Sequence, residues 1–235
     1  MTRRAMHVLD PHPPATLAVD GSADTIPVRR VFCVGRNYAA HAREMGQDER
    51  EPPFFFTKPA DALVPSGATI PYPPGTRDLQ HEAELVAVIG RAGRRIATAD
   101  ALAHVWGYAA GNDLTRRDLQ LAARDKGRPW DMGKAFDRSA PIGPARPASE
   151  TGHPSAGAIR LRVNGETRQE ADLSELIWSV PEIVAHLSAL VELRPGDLVM
   201  TGTPAGVGPL VPGDRCVVEI EGLPPVAVTI GPAGG

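Results

Sequence analysis

Asp78-Leu79-Gln80-His81-Glu82-Ala83-Glu84-Leu85 runs straight into the apolar Val86-Ala87-Val88-Ile89. Read as a strand from Glu82 to Ile89, the stretch alternates faces, so Glu82 and Glu84 point one way while Ala83, Leu85, Ala87 and Ile89 point the other. Two carboxylates on one small patch repel, and each stays ionised only beside donors, a shared proton or a cation. Oxygen ligands at that spacing suit Mg²⁺, Mn²⁺ or Ca²⁺ better than zinc. On this segment alone, a solvated strand face carrying two ordinary glutamates is the simpler account; a third ligand elsewhere would reverse the preference.

Downstream, Trp106 to Ala110 has strand character and ends in Gly111-Asn112-Asp113-Leu114. Asp113 closes an apolar segment, where an unpaired carboxylate is costly, which makes it the natural third ligand. Thr98 reads as the N-cap of a short helix through Val105. Thr115-Arg116-Arg117-Asp118 resembles a capping box opening a helix to about Arg124, with Gln120 one turn in. The loop-rich stretch 127–144 holds Lys134 among glycine, methionine and phenylalanine, a setting that turns a lysine into a cleft.

Upstream, Val28 to Val34 reads as a strand ending at Gly35. A helical turn over Tyr38 to Met45 would put His41 and Glu44 at i and i+3 on one face. A carboxylate there fixes the imidazole tautomer and leaves the other nitrogen to take a proton from water, although a surface pair accounts for these two residues taken alone. The small and polar residues of 37–47 promise little burial. Pro53 to Phe56 reads as a buried strand delivering Lys58 to a turn. Lys58, Lys126 and Lys134 are the only lysines in the chain, and where arginine is the default cation a lysine offers a compact, tunable ammonium.

Toward the C-terminus, Ile159–Val163, Asn164-Gly165 and Glu166–Ala171 predict a type I′ hairpin. Ser179-Val180-Pro181-Glu182 opens an amphipathic helix. The loop Thr201-Gly202-Thr203-Pro204-Ala205-Gly206-Val207-Gly208 lacks the GK[ST] of a phosphate-binding loop, but its N–H groups and hydroxyls can hold a carboxylate. Strands from Cys216 to Ile220 and Val226 to Ile230 complete the pattern.

At 235 residues the chain has room for one sizeable core. Its 24 glycines and 24 prolines punctuate the whole length, which suits many short strands joined by turns and predicts a β-rich α+β fold. Residues 1–27 read as an N-terminal arm with at most short strands, and 28–235 as a single domain. A formal net charge of −3 gives no basic footprint for nucleic acid. No apolar run is long enough to span a bilayer, and the first residues lack a secretory signal, so the expectation is a soluble cytoplasmic protein acting on a small molecule. Cys33 and Cys216 lie too far apart for a zinc knuckle or a disulfide framework.

In this order, CVGRNYAAHAREMG (33–46), PPFFFTKP (52–59), HEAELV (81–86), GYAAGNDLTRRDLQ (107–120), GRPWDMGKAFD (127–137), LRVNGE (161–166) and PGDLVMTGTPAGVGP (195–209) resemble the fumarylacetoacetate hydrolase family, in its branch acting on acylpyruvates. The resemblance makes 28–235 the catalytic domain and implies a mixed β-sandwich roll that usually dimerises, with Mg²⁺ or Mn²⁺ held by Glu82, Glu84 and Asp113, and Ca²⁺ less suited. It makes His41 and Glu44 a water-activating dyad on a segment that often orders only with ligand. Lys134 and Gln120 match active-site positions, Thr203 a carboxylate-binding hydroxyl, and Arg36, Tyr38 and Lys58 neighbouring pocket positions. The implied reaction is hydrolysis of a carbon–carbon bond in a 2,4-dioxo acid, foremost fumarylpyruvate to fumarate and pyruvate in gentisate-type breakdown, with Arg116 or Arg117 on the distal carboxylate. The rival expectations are oxaloacetate decarboxylation or hydroxy-dienoate isomerisation on the same fold, and a non-catalytic metal-dependent binding protein.

Overall fold

The Ala83–Ile89 strand lies inside a six-stranded mixed sheet, in the order Arg146–Pro147, Val105–Asn112, Ala83–Ile89, Asp197–Met200, Arg30–Gly35 and Phe54–Lys58. A computed structural model describes residues 8–10, 12–38 and 51–234. A second sheet has five strands, in the order Glu166–Asp172, Ala158–Val163, Arg215–Ile220, Val226–Ala233 and Thr69–Tyr72. Leu85, Ala87 and Ile89 pack with Phe32, Val34 and Val199 against Ile159, Leu161, Val218 and Ile230 of the second sheet. Each such valine, leucine, isoleucine or phenylalanine side chain contributes about 1.5–3 kcal/mol on burial.

Val86 and Val88 face the other way, into a second cluster with Val31, Cys33, Leu198, Met200 and Leu17. All seven residues of Ala83–Ile89 are therefore buried, which accounts for the unbroken apolar run. It also rules out a solvated strand face for Glu84, which is 1% exposed, and Glu82, just before the strand, is 6% exposed. Antiparallel pairing sets Ala83 opposite Asn112, and the Asp113 N–H donates to the Glu82 carbonyl at 2.8 Å. Register alone thus carries Asp113 to the two glutamates.

Asn164-Gly165 turns the predicted hairpin with positive φ at both residues, 53° and 88°, as a type I′ turn requires. The helix Val180–Leu190 begins where predicted: Glu182 accepts from the Ser179 N–H and hydroxyl, and Pro181 sits in the first turn. Thr16–Ala18 and Thr25–Pro27 pair antiparallel, and Leu17 reaches the second apolar cluster.

Several local expectations need correction. The Thr98 segment is a 3₁₀ helix, Thr98–His104, preceded by Ala97 as N-cap with no side-chain bond. Thr115 caps nothing: it lies in a short strand against Leu79–His81, and the helix Arg117–Asp125 starts after it. Its hydroxyl donates to the Asp113 carbonyl at 2.9 Å and accepts from Lys134, so it is unavailable to the helix end. Phe54 is exposed because Phe54–Lys58 is an edge strand. Asn37 and Tyr38 are fully buried, contrary to the low burial expected for 37–47; the remainder of that segment, 39–47, lies outside the described residues. Among the described residues, no helix is long and apolar enough to cross a membrane.

Candidate active site

Glu82, Glu84 and Asp113 each offer a carboxylate oxygen within 4.8 Å of the others, and all three are buried. Three buried carboxylates this close need compensation, and most of it comes from the chain itself. Lys134 Nζ donates to Glu82 Oε2 and Asp113 Oδ2, both at 2.8 Å, and to Thr115 Oγ1 at 2.7 Å. Arg117 donates to the other oxygen of Glu82 and to Gln80 at 2.9 Å. Burial pushes Glu82 upward, but Lys134 and Arg117 outweigh it and hold its pKa down at about 2. For Lys134, burial works against the charge while Asp113 and Glu82 favour it, and the net shift is upward.

Lys58, fully buried, lies 2.7 Å from Asp113 Oδ1. Two of its three donors go to the carbonyls of Leu114, at 3.0 Å, and of Lys134, and among the described residues Asp113 Oδ1 has no aligned hydrogen bond. Glu84 has no cationic side chain at hydrogen-bond distance among the described residues and accepts the Gly202 N–H at 2.7 Å. Burial, then repulsion from Asp113 and Glu82, raises its pKa well above the carboxylate range. A divalent cation fits these observations: hard oxygen donors, one undirected oxygen, and one carboxylate that only an added positive charge would keep ionised.

Lys58 is therefore a counter-charge beneath the site and does not line the cavity above it. Lys58→Met should destabilise the cation-free protein by about 3–5 kcal/mol, because it strips a buried carboxylate group of one compensating charge. That corresponds to a melting drop of about 6–20 °C for a chain of this size. Added Mn²⁺ should recover part of the loss. Melting unchanged from the wild type would show that Asp113 does not depend on Lys58.

Gly202 can present its N–H to Glu84 because its φ of +100° suits glycine and because a Cβ would stand 2.7 Å from the Asn37 side chain. Asn37 secures that turn, donating to the Thr201 and Trp178 carbonyls at 2.8 Å and accepting from the Trp178 N–H at 2.7 Å. Nothing in the composition of 33–46 singled out Asn37; its burial next to a glycine-rich loop is a tertiary fact.

A cavity of about 340 Å³ opens over the carboxylates, with Lys134, Thr203, Gln120 and Arg36 in its wall. Phe56, Trp130, Leu121 and Val207 supply apolar lining. Trp130 packs edge-on against Phe54, ring centroids 5.3 Å apart. Tyr38 is not in the wall of this cavity: its hydroxyl is buried without a hydrogen-bond partner among the described residues, and burial raises its pKa. Arg116 is also absent from the wall; its guanidinium stacks over Phe136 at 4.4 Å. Arg117 is in the wall but committed to Glu82 and Gln80. His41 and Glu44 lie outside the described residues. Arg124, not among the residues expected at the site, lines the cavity. Its spacing was the available signal: Arg117, Gln120, Leu121 and Arg124 stand at i, i+3, i+4 and i+7 on one helix.

A strand-rich mixed roll carrying a buried carboxylate triad and a lysine defines a metal-dependent enzyme fold. The chain belongs to the fumarylacetoacetate hydrolase family, its residues 30–231 matching the model described as fumarylacetoacetate (FAA) hydrolase C-terminal. It is 48% identical over 183 residues to a fumarylpyruvate hydrolase of Ralstonia sp, covering 78% of this chain and 95% of that one. The crystal structure of fumarylpyruvate hydrolase from Pseudomonas aeruginosa, in complex with Mn²⁺ and pyruvate, is 57% identical with a TM-score of 0.94, covering 97% of this chain and 100% of that one. The mitochondrial oxaloacetate tautomerase of Homo sapiens is 41% identical over 195 residues, 83% of this chain and 88% of that one.

Proposed function

We propose that the protein hydrolyses 2,4-dioxo acids, cleaving fumarylpyruvate to fumarate and pyruvate in gentisate-type breakdown, with Mg²⁺ or Mn²⁺ at Glu82, Glu84 and Asp113. The observation that carries this reading is the buried carboxylate group with Lys134 at the floor of a cavity sized for a small organic acid. The fumarylpyruvate hydrolases at 48% and 57% identity support the choice of substrate. On the same reading, residues 28–235 form the catalytic domain, 1–27 an N-terminal arm, and the protein is a cytoplasmic homodimer.

In the proposed reaction His41, oriented by Glu44, takes a proton from water as its oxygen attacks the 4-oxo carbon. The C3–C4 bond breaks and its electron pair passes to C3 of the pyruvate half, which is then protonated; the acyl half leaves as the acid. The divalent cation supplies Lewis acidity against the negative charge that develops on the pyruvate half. Thr203 donates its hydroxyl to the 1-carboxylate. Lys134 adds positive charge at the same end, and it can turn a donor to the substrate only as one of its bonds to Glu82, Asp113 or Thr115 is given up. Incubation with fumarylpyruvate and Mn²⁺ should yield fumarate and pyruvate in equal amounts; absence of both products would reject the reading.

Arg36 and Arg124, in place of Arg116 or Arg117, are proposed to receive the distal carboxylate. Arg124 stands seven residues beyond Arg117, about 10 Å along the helix axis, a span comparable with an extended fumarylpyruvate. Burial and the neighbouring Arg124 both lower the pKa of Arg36, so an anion between the two guanidiniums would relieve their repulsion. Arg124→Ala should raise KM for fumarylpyruvate about fivefold and leave KM for acetylpyruvate, which has no distal carboxylate, unchanged. Equal rises for both substrates would reject the assignment.

A second reading, enolisation of an oxo acid without hydrolysis, is favoured by the 41% identical oxaloacetate tautomerase. It uses the same cavity floor and needs no activated water.

A further inference from the structure

We infer that Gln169 is a positioning residue for substrate binding, holding the Thr203 hydroxyl so that its proton is turned into the cavity. The inference rests on the reading of Thr203 as the carboxylate-binding hydroxyl.

Gln169 occupies the edge strand Glu166–Asp172, where it alone is buried, 1% exposed. Its amide ties together parts of three segments. Oε1 lies 3.0 Å from the Ala83 N–H and 2.9 Å from His81 Nδ1. Nε2 lies 2.8 Å from Thr203 Oγ1 and 2.9 Å from the Pro204 carbonyl. The orientation of this amide is fixed by chemistry: a backbone N–H can only donate and a carbonyl can only accept, so the atom facing Ala83 is oxygen and the atom facing Pro204 is nitrogen. His81 must then carry its proton on Nδ1.

The consequence falls on Thr203. A primary amide nitrogen only donates, so Thr203 Oγ1 is the acceptor of that bond, and its single hydroxyl proton must go elsewhere. Among the described residues, no acceptor takes it, and Thr203 lines the cavity. The hydroxyl is therefore presented as a donor, the polarity that a carboxylate oxygen requires. Left to rotate, it would spend part of its time turning a lone pair toward the anion. The same amide accepts from the N–H of Ala83, between Glu82 and Glu84, so Gln169 adds a second tie between the Thr203 loop and the metal-ligand strand beside the Gly202 N–H to Glu84 bond.

A double-mutant cycle tests this, with pyruvate affinity measured calorimetrically on the Mn²⁺-loaded protein and KM and kcat measured with fumarylpyruvate. Thr203→Val should weaken pyruvate about tenfold, the loss of one charge-assisted hydrogen bond, and Thr203→Ser should restore it. Gln169→Leu should weaken pyruvate severalfold beside Thr203 and not at all beside valine, raising KM with little change in kcat. Gln169→Met removes the same bonds with a flexible apolar side chain, so it should reproduce the loss, and it carries the test if the leucine variant does not fold. Equal loss in both Thr203 backgrounds, or unchanged affinity in folded Gln169 variants, would overturn the inference alone. Unchanged affinity in Thr203→Val would overturn the reading of Thr203 beneath it.

Discussion

Fumarylpyruvate hydrolysis should stop when the protein is stripped of divalent cations and return on addition of Mn²⁺ or Mg²⁺, while the stripped protein stays folded. The loss of activity is expected because the cavity floor would have no Lewis acid for the charge that develops on the pyruvate half. Retention of the fold is expected for a separate reason. Lys134, Arg117 and Lys58 already stand against Glu82 and Asp113, and burial and repulsion favour the neutral form of Glu84. Activity assays paired with thermal melts, before and after chelation with metal content measured, separate the two claims. Full activity at negligible metal content would remove the cation from the mechanism. Unfolding on chelation would show that the internal cations do not suffice.

Replacing His41 with alanine should lower kcat for fumarylpyruvate about 10²–10⁴-fold, the usual weight of general-base catalysis, with metal content and melting unchanged. Tautomerisation or decarboxylation of oxaloacetate needs the same end of the cavity but no activated water, so the variant should lose much less there. Glu44→Gln should resemble it with a smaller loss, because the carboxylate only orients the imidazole. Equal losses for both substrates in folded, metal-loaded protein would assign His41 to a step common to both reactions, and the hydrolytic dyad would have to be abandoned.

The alternation in Glu82 to Ile89 was legible because strand periodicity is local, and it put the two glutamates on one face before any partner was known. Asp113 was legible from the cost of ending an apolar run in a bare carboxylate. The family resemblance supplied Lys134, Gln120 and Thr203, and all three meet in one cavity wall. Lys58 lies beneath the carboxylates and Tyr38 is absent from the cavity wall, because sequence order shows which segment delivers a side chain and not at what depth. Thr115 was read as a helix cap because its spacing to Asp118 fits one; the pull of a buried ammonium on its hydroxyl is visible only once Lys134 folds back over it. Gln169 had no signal at all. In a hairpin of alternating polar residues, one glutamine that faces inward looks like its neighbours.

The triad sits on or directly beside the ends of two neighbouring interior strands, Ala83–Ile89 and Val105–Asn112, whereas Phe54 and Phe56 belong to the outermost strand of that sheet and Trp130 and Arg124 to the helical insertion beside it. On the proposed reading, the carboxylates of the reactive end stand on the sheet interior while the acyl-arm lining stands on the edge strand and the insertion, and the two are joined through Arg117 and Lys134 of that insertion. Substitutions along the rim can reshape the space for the acyl group at little cost to the centre, where every neighbour is already committed. A lineage built this way can change its substrate by small steps while its ion site stays intact, which suits a fold shared by a hydrolase in one relative and a tautomerase in another.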